Sequence, residues 1–231
     1  MLYGFTWDTS NGELAFALSI LPILLTGLLT TLKAAFLGFF VACVLGLLFA
    51  VLRGMPSKLV AWSTAVLIEF IRDTPLIVQL FFLYYVLPEY GIVFPAFLTG
   101  ALALGIQYSA YISEVYRAGI QAVDHGQREA AKSLDLPPSR TFTHVILPQA
   151  IPRVIPAMGN YLVSITKDVP VLSVVTIVEM LNAAKIIGDQ TFNYLVPLSM
   201  VGGIYLILTI FASALVRLAD VNLPKKGIPL R

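Results

Sequence analysis

Apolar residues fall along this chain in blocks too long for strands and too unbroken for one face of a surface helix. Residues 14–52 are almost continuously apolar, about twice the roughly 20 residues needed to cross the hydrocarbon of a bilayer. Pro22 and Gly27 punctuate that block. The pattern predicts a helix over 14–25 lying at the outer interface and a first span over about 27–52. Lys33 would then snorkel to the outer headgroups. A turn with two cations, Arg53 to Lys58, leads to a second block from about Leu59 to Leu87, interrupted by Glu69, Arg72, Asp73 and Pro75. A third block runs from about Val93 to Val115 and a fourth from about Val154 to Met180, the latter interrupted by Lys167, Asp168 and Pro170. The fifth runs from about Phe192 to Leu218. The expected fold is all-α and integral to a membrane, with about five transmembrane helices. Six would require a hairpin inside 14–52, where the turn signal is weak.

Cations orient the chain. Arg53, Lys58, Arg117, Arg128, Lys132, Arg140, Arg153, Arg217, Lys225, Lys226 and Arg231 fall on one side if the 53–58 turn, the 117–153 loop and the tail share it. Only Lys33, Arg72, Lys167 and Lys185 remain for the other side and the spans. The split predicts an outer N-terminus and a cytoplasmic C-terminus. It divides the chain into an extracytoplasmic or interfacial segment over 1–26, a transmembrane domain over 27–220 with a cytoplasmic loop over 117–153, and a tail over 221–231. Composition agrees: 58% of residues are hydrophobic and 12% charged, against about 45–50% and 25% in soluble domains. The single cysteine, Cys43, lies in an apolar run, so no disulfide framework is expected. No Lys or Arg precedes Lys33, so the basic region of a cleavable signal is missing.

The long polar loop stands out against this background. Gln127 to Leu134 holds good helix formers, with Glu129 near the end where a carboxylate suits the helix dipole. Pro137-Pro138 ends that helix, and Ser139 is placed to cap a second short one, Arg140 to Ile146, before Pro148. On residue chemistry alone this is a helix-turn-helix standing off the membrane, which an ordinary structured loop could also be.

The residues Glu129-Ala130-Ala131, Asp135, Val145 and Leu147-Pro148 resemble the EAA signature of ABC importer permeases. That family usually has glycine where this chain has Asp135, and a left-handed backbone there would suit aspartate better than most residues. The stretch from Phe70 to Leu80, the Arg117-Ala118-Gly119-Ile120 run, Leu147-Pro148-Gln149-Ala150, and Lys167-Asp168 ahead of Leu172-Ser173-Val174-Val175 resemble the polar amino-acid subgroup of type I permeases. Val169-Pro170 departs from the small hydroxyl residues commoner in that subgroup. The resemblance covers about residues 20–220. It implies a permease in a bacterial cytoplasmic (inner) membrane, crossing it several times. It further implies a second permease subunit, in a homo- or heterodimer, two cytoplasmic ABC ATPase subunits and an extracytoplasmic solute-binding protein. In that picture Glu129, Ala130, Ala131, Asp135, Leu147 and Pro148 couple the permease to the ATPase. ATP and magnesium belong to that partner, and this chain holds no cofactor.

Charges at span depth cost about 2.5–3.5 kcal/mol each on insertion scales, so each needs a reason. Glu69 and Arg72 are three apart and can pair on one helix face. Arg72-Asp73-Thr74-Pro75 and Lys167-Asp168-Val169-Pro170 repeat one basic-acidic-x-proline pattern, and proline frees a carbonyl one turn earlier. Proline-broken spans at corresponding places point to a transporter's central site. They can equally be helix ends near the headgroups. Lys167 and Asp168 are the leading candidates to meet the carboxylate and ammonium of a zwitterion, with Gln79, Gln107, Glu114 and Asn160 as further polar candidates for the path. Lone polar residues in spans more often bond between helices.

Other chemistries lack their residues. No G-x-x-x-x-G-K-S/T run is present, so the chain has no P-loop of its own. His125 and His144 lie in the polar loop without metal-ligand spacing, and no nucleophile elbow appears. The cations are scattered, which argues against nucleic acid. The expected function is a permease subunit of an ATP-driven importer for polar amino acids or related zwitterions such as opines or ectoine. The alternatives are a self-sufficient carrier or channel and, less supported, a membrane-embedded enzyme.

Overall fold

A computed structural model describes residues 2–7 and 12–223, and within them the chain is almost entirely helical. The tail cations Lys225, Lys226 and Arg231 lie outside the described residues.

Helix α1 runs from Glu13 to Arg53 without a break at Gly27. At about 1.5 Å per residue it is about 60 Å long, twice the thickness of the hydrocarbon core. The separate interfacial helix expected over 14–25 and the span over 27–52 are therefore one rod. Pro22 sits inside it and removes one donor, yet the flanking residues hold the helix, with the Thr26 hydroxyl donating to the Pro22 carbonyl at 2.8 Å. Small residues Thr31, Ala34, Ala35, Gly38, Ala42 and Gly46 share its buried face. They let α1 pack closely along α4 (Ala96–Gln121), its most extensive partner. Gly38 faces Ala101 and Leu104, and Gly46 faces Ser109 and Ile112, so the two helices run parallel. By that register Lys33 stands level with the first turn of α4, and the N-terminal half of α1 projects beyond it.

Two cores result. One joins the C-terminal half of α1 to α4 and to the fourth block, around Leu104, Tyr108, Ile112, Ile165 and Leu172. The other joins the N-terminal half of α1 (Phe16, Ile20, Ile23, Leu24) to α8 (Met180–Thr191) and α9 (Leu195–Asn222). Helix α8 was not anticipated from the apolar blocks, since it lies between the fourth, which ends at Met180, and the fifth, which starts at about Phe192. Its apolar face is only five residues, Met180, Ala183, Ala184, Ile187 and Gly188, too narrow to stand out as a block.

The second block breaks into α2 (Lys58–Asp73) and α3 (Leu76–Phe81), which continues as tighter and wider turns to Tyr90. The break falls at Thr74-Pro75, where Thr74 is extended. The fourth block differs from expectation at both ends. Its helix starts at Pro138, with Pro137 rather than Ser139 at the cap position, and runs through α6 (Pro138–Arg140), a π-helical stretch (Thr141–Ile146) and α7 (Leu147–Asp168) without stopping at Pro148. Residues 138–153, expected as loop, are thus the base of a span-length helix. Pro148, Pro152 and Pro156 recur every four residues along one face of it. The helix tightens to Val175, Thr176 turns left-handed at φ 66°, and α8 leaves at 47°. By length and apolar character α1 and α9 could each cross a membrane, and the bent 138–191 pair could be a third. Helix α4 is rich in small and polar residues, and half of it is buried among other helices, so it need not face lipid.

Candidate functional site

Two groups of residues gather the polar chemistry: a hairpin at one end of the bundle and a cluster inside it.

The hairpin consists of α5 (His125–Ser133) and the Pro138–Ile146 helix. Asp124 caps α5, its carboxylate accepting from the Gly126 N–H at 2.7 Å. Glu129 therefore sits mid-helix and pairs with His125 at 3.1 Å. At the other end the Leu136 N–H reaches the Ala131 carbonyl (3.1 Å) and the Asp135 N–H reaches Lys132 (3.0 Å). This is a Schellman ending, with Asp135 left-handed at φ 51°. Aspartate thus takes the conformation that glycine takes at no cost. Asp135→Gly is expected to raise the thermal stability of the protein by up to about 1 kcal/mol, and Asp135→Val to lower it by about 1–2 kcal/mol. Equal melting of the two variants would contradict this assignment.

The hairpin's rear face is fixed to the bundle. Arg128 donates to the Ile120 carbonyl at 3.2 Å and Arg153 to that of Ala122, so two guanidiniums satisfy the end of α4. Gln149 bridges to Gln127 at 3.2 Å. Ala131 is buried, while Glu129, Ala130, Asp135 and Pro148 are exposed and Leu147 is half-buried. Leu134 is 74% exposed at the end of α5, and Phe142 on the second helix of the hairpin is also exposed.

The inner cluster forms where α2–α3, α4 and α7 meet. The Tyr108 hydroxyl donates to Asp168 Oδ2 at 2.6 Å. Tyr111 and Tyr161 stack at 5.8 Å, both edge-on to Tyr108. The Arg72 guanidinium lies over Tyr111 at 5.6 Å and within 3.4 Å of Glu69. Gln79 donates to the carbonyls of Ile71 (2.8 Å) and Thr74 (3.2 Å) and contacts Gln107. Ile71 is the residue whose helical donor Pro75 removes, so the Gln79 amide repairs the break. Lys167 and Asn160 are exposed on α7, seven residues apart on one face, and make no hydrogen bond or ion pair among the described residues.

The structure therefore unites Asp168 with Gln107 through the tyrosines, leaves Lys167 and Asn160 open, and gives Gln79 a structural task. Glu114 lies elsewhere: it pairs with Arg53 and, at 2.9 Å, with Arg117 at the hairpin end of α4. Sequence reasoning missed the tyrosine trio, although Tyr108 and Tyr111 at i, i+3 were legible as one helix face. It also missed Glu179, which is fully buried. Its carboxylate caps α8, accepting from the Leu181 and Asn182 N–H groups at 2.9 and 2.7 Å.

Residues 42–223 match the model of the family described as binding-protein-dependent transport system inner membrane component. The chain is 89% identical over its whole length, and over the whole of that protein, to the probable amino-acid ABC transporter permease protein y4tG of Sinorhizobium fredii. It is 32% identical to the arginine transport system permease protein ArtQ of Bacillus subtilis, over 87% of this chain and 92% of that one. With the probable glutamine ABC transporter permease protein GlnM of the same organism it shares 37% identity over 86% of this chain and 92% of that one. The fold matches a crystal structure of an amino acid ABC transporter with histidines at a TM-score of 0.87 and 36% identity, covering 93% of this chain and all of that one. It also matches inward-facing MetNI methionine transporter structures at 0.68, with 18% identity and 87% and 97% coverage, a likeness of fold alone. The alternative of a self-sufficient carrier gives way to these matches: the chain belongs to the inner-membrane permease components of binding-protein-dependent ABC transport systems.

Proposed function

We propose that this chain is a permease subunit of an importer for polar amino acids, working with a second permease, two cytoplasmic ATPases and an extracytoplasmic binding protein. The observation that carries the reading is the hairpin. Its rear is tied to α4 by Arg128 and to the base of α7 by the Gln127–Gln149 contact, while its front offers Glu129, Ala130, Asp135 and the bare Leu134 to a partner. An exposed leucine on a polar knuckle suits a complementary groove. Its position at the base of a continuous helix suits a part that is pushed. In this reading the cation-rich end faces the cytoplasm, five helical passes cross the inner membrane, and ATP with its magnesium binds only the partner.

The solute would pass beside Asp168 and the tyrosines. A carboxylate held by the Tyr108 hydroxyl beside a cluster of tyrosines favours an ammonium, and Lys167 on the same helix, without an ion pair among the described residues, favours a carboxylate. Arginine and glutamine, named for two relatives, both carry this pair of groups.

The test is reconstitution of the complete transporter. Leu134→Glu together with Glu129→Arg should abolish co-purification of the ATPase while leaving the permease folded, and Lys167→Ala should keep the ATPase but lose most amino-acid uptake. Full ATPase association by the hairpin variant would overturn the coupling role. Unchanged uptake by Lys167→Ala would remove that residue from the path.

A further inference from the structure

A groove of about 760 Å³ opens between the end of α1, the end of α4, α5 and the base of α7. Its floor is apolar, with Leu47, Val51, Ile151 and Val154. Its rim carries three guanidiniums, Arg53, Arg117 and Arg128. The acidic group facing them is Glu114 on α4, which Arg53 and Arg117 share. Helix α7 adds no charge to the lining, since Arg153 turns to the Ala122 carbonyl. Three cations against one carboxylate leave the rim with a surplus of two positive charges. Each guanidinium has five N–H donors, and the contacts to Glu114 and to the Ile120 carbonyl consume only some of them. Leu47 and Val51 are about half exposed on the outer side of α1, where acyl chains lie.

We propose that this groove holds an anionic phospholipid, its phosphate on Arg117 and Arg128 and one acyl chain along the Leu47, Val51 and Ile151 floor. A soluble anion would satisfy the rim but gain nothing from the floor. A zwitterionic lipid would fill the floor but bring its own cation against the surplus charge. Basic pockets between helices at a membrane surface have this chemistry. The lipid would sit at the root of the hairpin, where α4 turns into α5.

The test uses the complete transporter in nanodiscs of phosphatidylglycerol mixed with phosphatidylcholine. Native mass spectrometry after detergent extraction should find phosphatidylglycerol retained in preference to phosphatidylcholine. Each arginine removed should weaken retention about fivefold, so Arg117→Gln with Arg128→Gln should cost about 25-fold. Arg217→Gln, on α9 away from the groove, should cost nothing. A second measurement keeps all three arginines: Val51→Trp fluorescence should be quenched more by brominated phosphatidylglycerol than by brominated phosphatidylcholine. Equal retention or equal quenching by the two lipids would overturn the proposal. Displacement of the retained lipid by inorganic phosphate alone would overturn it too, by showing a site for a free anion.

Discussion

Replacing Glu179 by alanine should lower the thermal stability of the assembled permease by about 3 kcal/mol or more, the largest loss expected from any single side chain in this chain. The carboxylate is fully buried where the fourth block bends into α8. It accepts from the Leu181 and Asn182 N–H groups, and the hydroxyls of Thr31 on α1 and Tyr205 on α9 approach it at 3.4 and 3.5 Å. Alanine would leave two backbone donors without an acceptor in a place water does not reach, each at about 1–3 kcal/mol. Glu179→Gln keeps the shape but presents one carbonyl oxygen where two oxygens now accept, so it should fall between wild type and alanine. The readout is the fraction of transporter surviving a heating series by size exclusion. A wild-type midpoint for Glu179→Ala would show that α8 does not depend on this cap.

The second large effect is expected at the same joint. A Cβ on Gly27 would lie 2.8 Å from Met180 Cα, 3.0 Å from Met180 N and 3.2 Å from the Glu179 carbonyl carbon. All three are backbone atoms, so no side chain can swing aside. Overpacking of this kind costs about 1–3 kcal/mol, and Gly27→Val should exceed Gly27→Ala because its methyls extend the clash. Gly203→Ala is the comparison, since a Cβ there would meet no atom within 4 Å among the described residues apart from its own helix turn. It should change stability by no more than about 1 kcal/mol, the helix-propensity difference. Gly27→Val and Glu179→Ala damage one contact, so the double variant should lose less than the sum of the two. Additive losses would show that the two residues act independently.

The apolar blocks made the helical fold legible, because continuous runs of that length have only one use. What they could not show was continuity. Pro22 reads as a boundary on local rules, yet in α1 its lost hydrogen bond is absorbed by a helix braced along two cores. Pro148 reads likewise, and the helix passes through it. Pro75 did end a helix, because the Gln79 amide waits across the break to receive the freed Ile71 carbonyl. The left-handed Asp135 was legible from the glycine it replaces. Glu179 was not, since glutamate is an uncommon cap and its burial is set by Thr31 on α1 and Tyr205 on α9, 148 and 26 residues away. The tyrosines and Asp168 meet only because α4 and α7 pack together.

Pro148, Pro152 and Pro156, spaced by four in the Pro138–Asp168 helix, each lack a backbone N–H, and Pro152 and Pro156 leave the carbonyls of Pro148 and Pro152 without their helical donors. All of these vacancies lie on one side. A shaft weakened along one side yields in a single plane and stays stiff in the others. Force delivered at the knuckle would therefore emerge at Lys167 and Asp168 as a swing of fixed direction, much as a scored rule folds only along its groove.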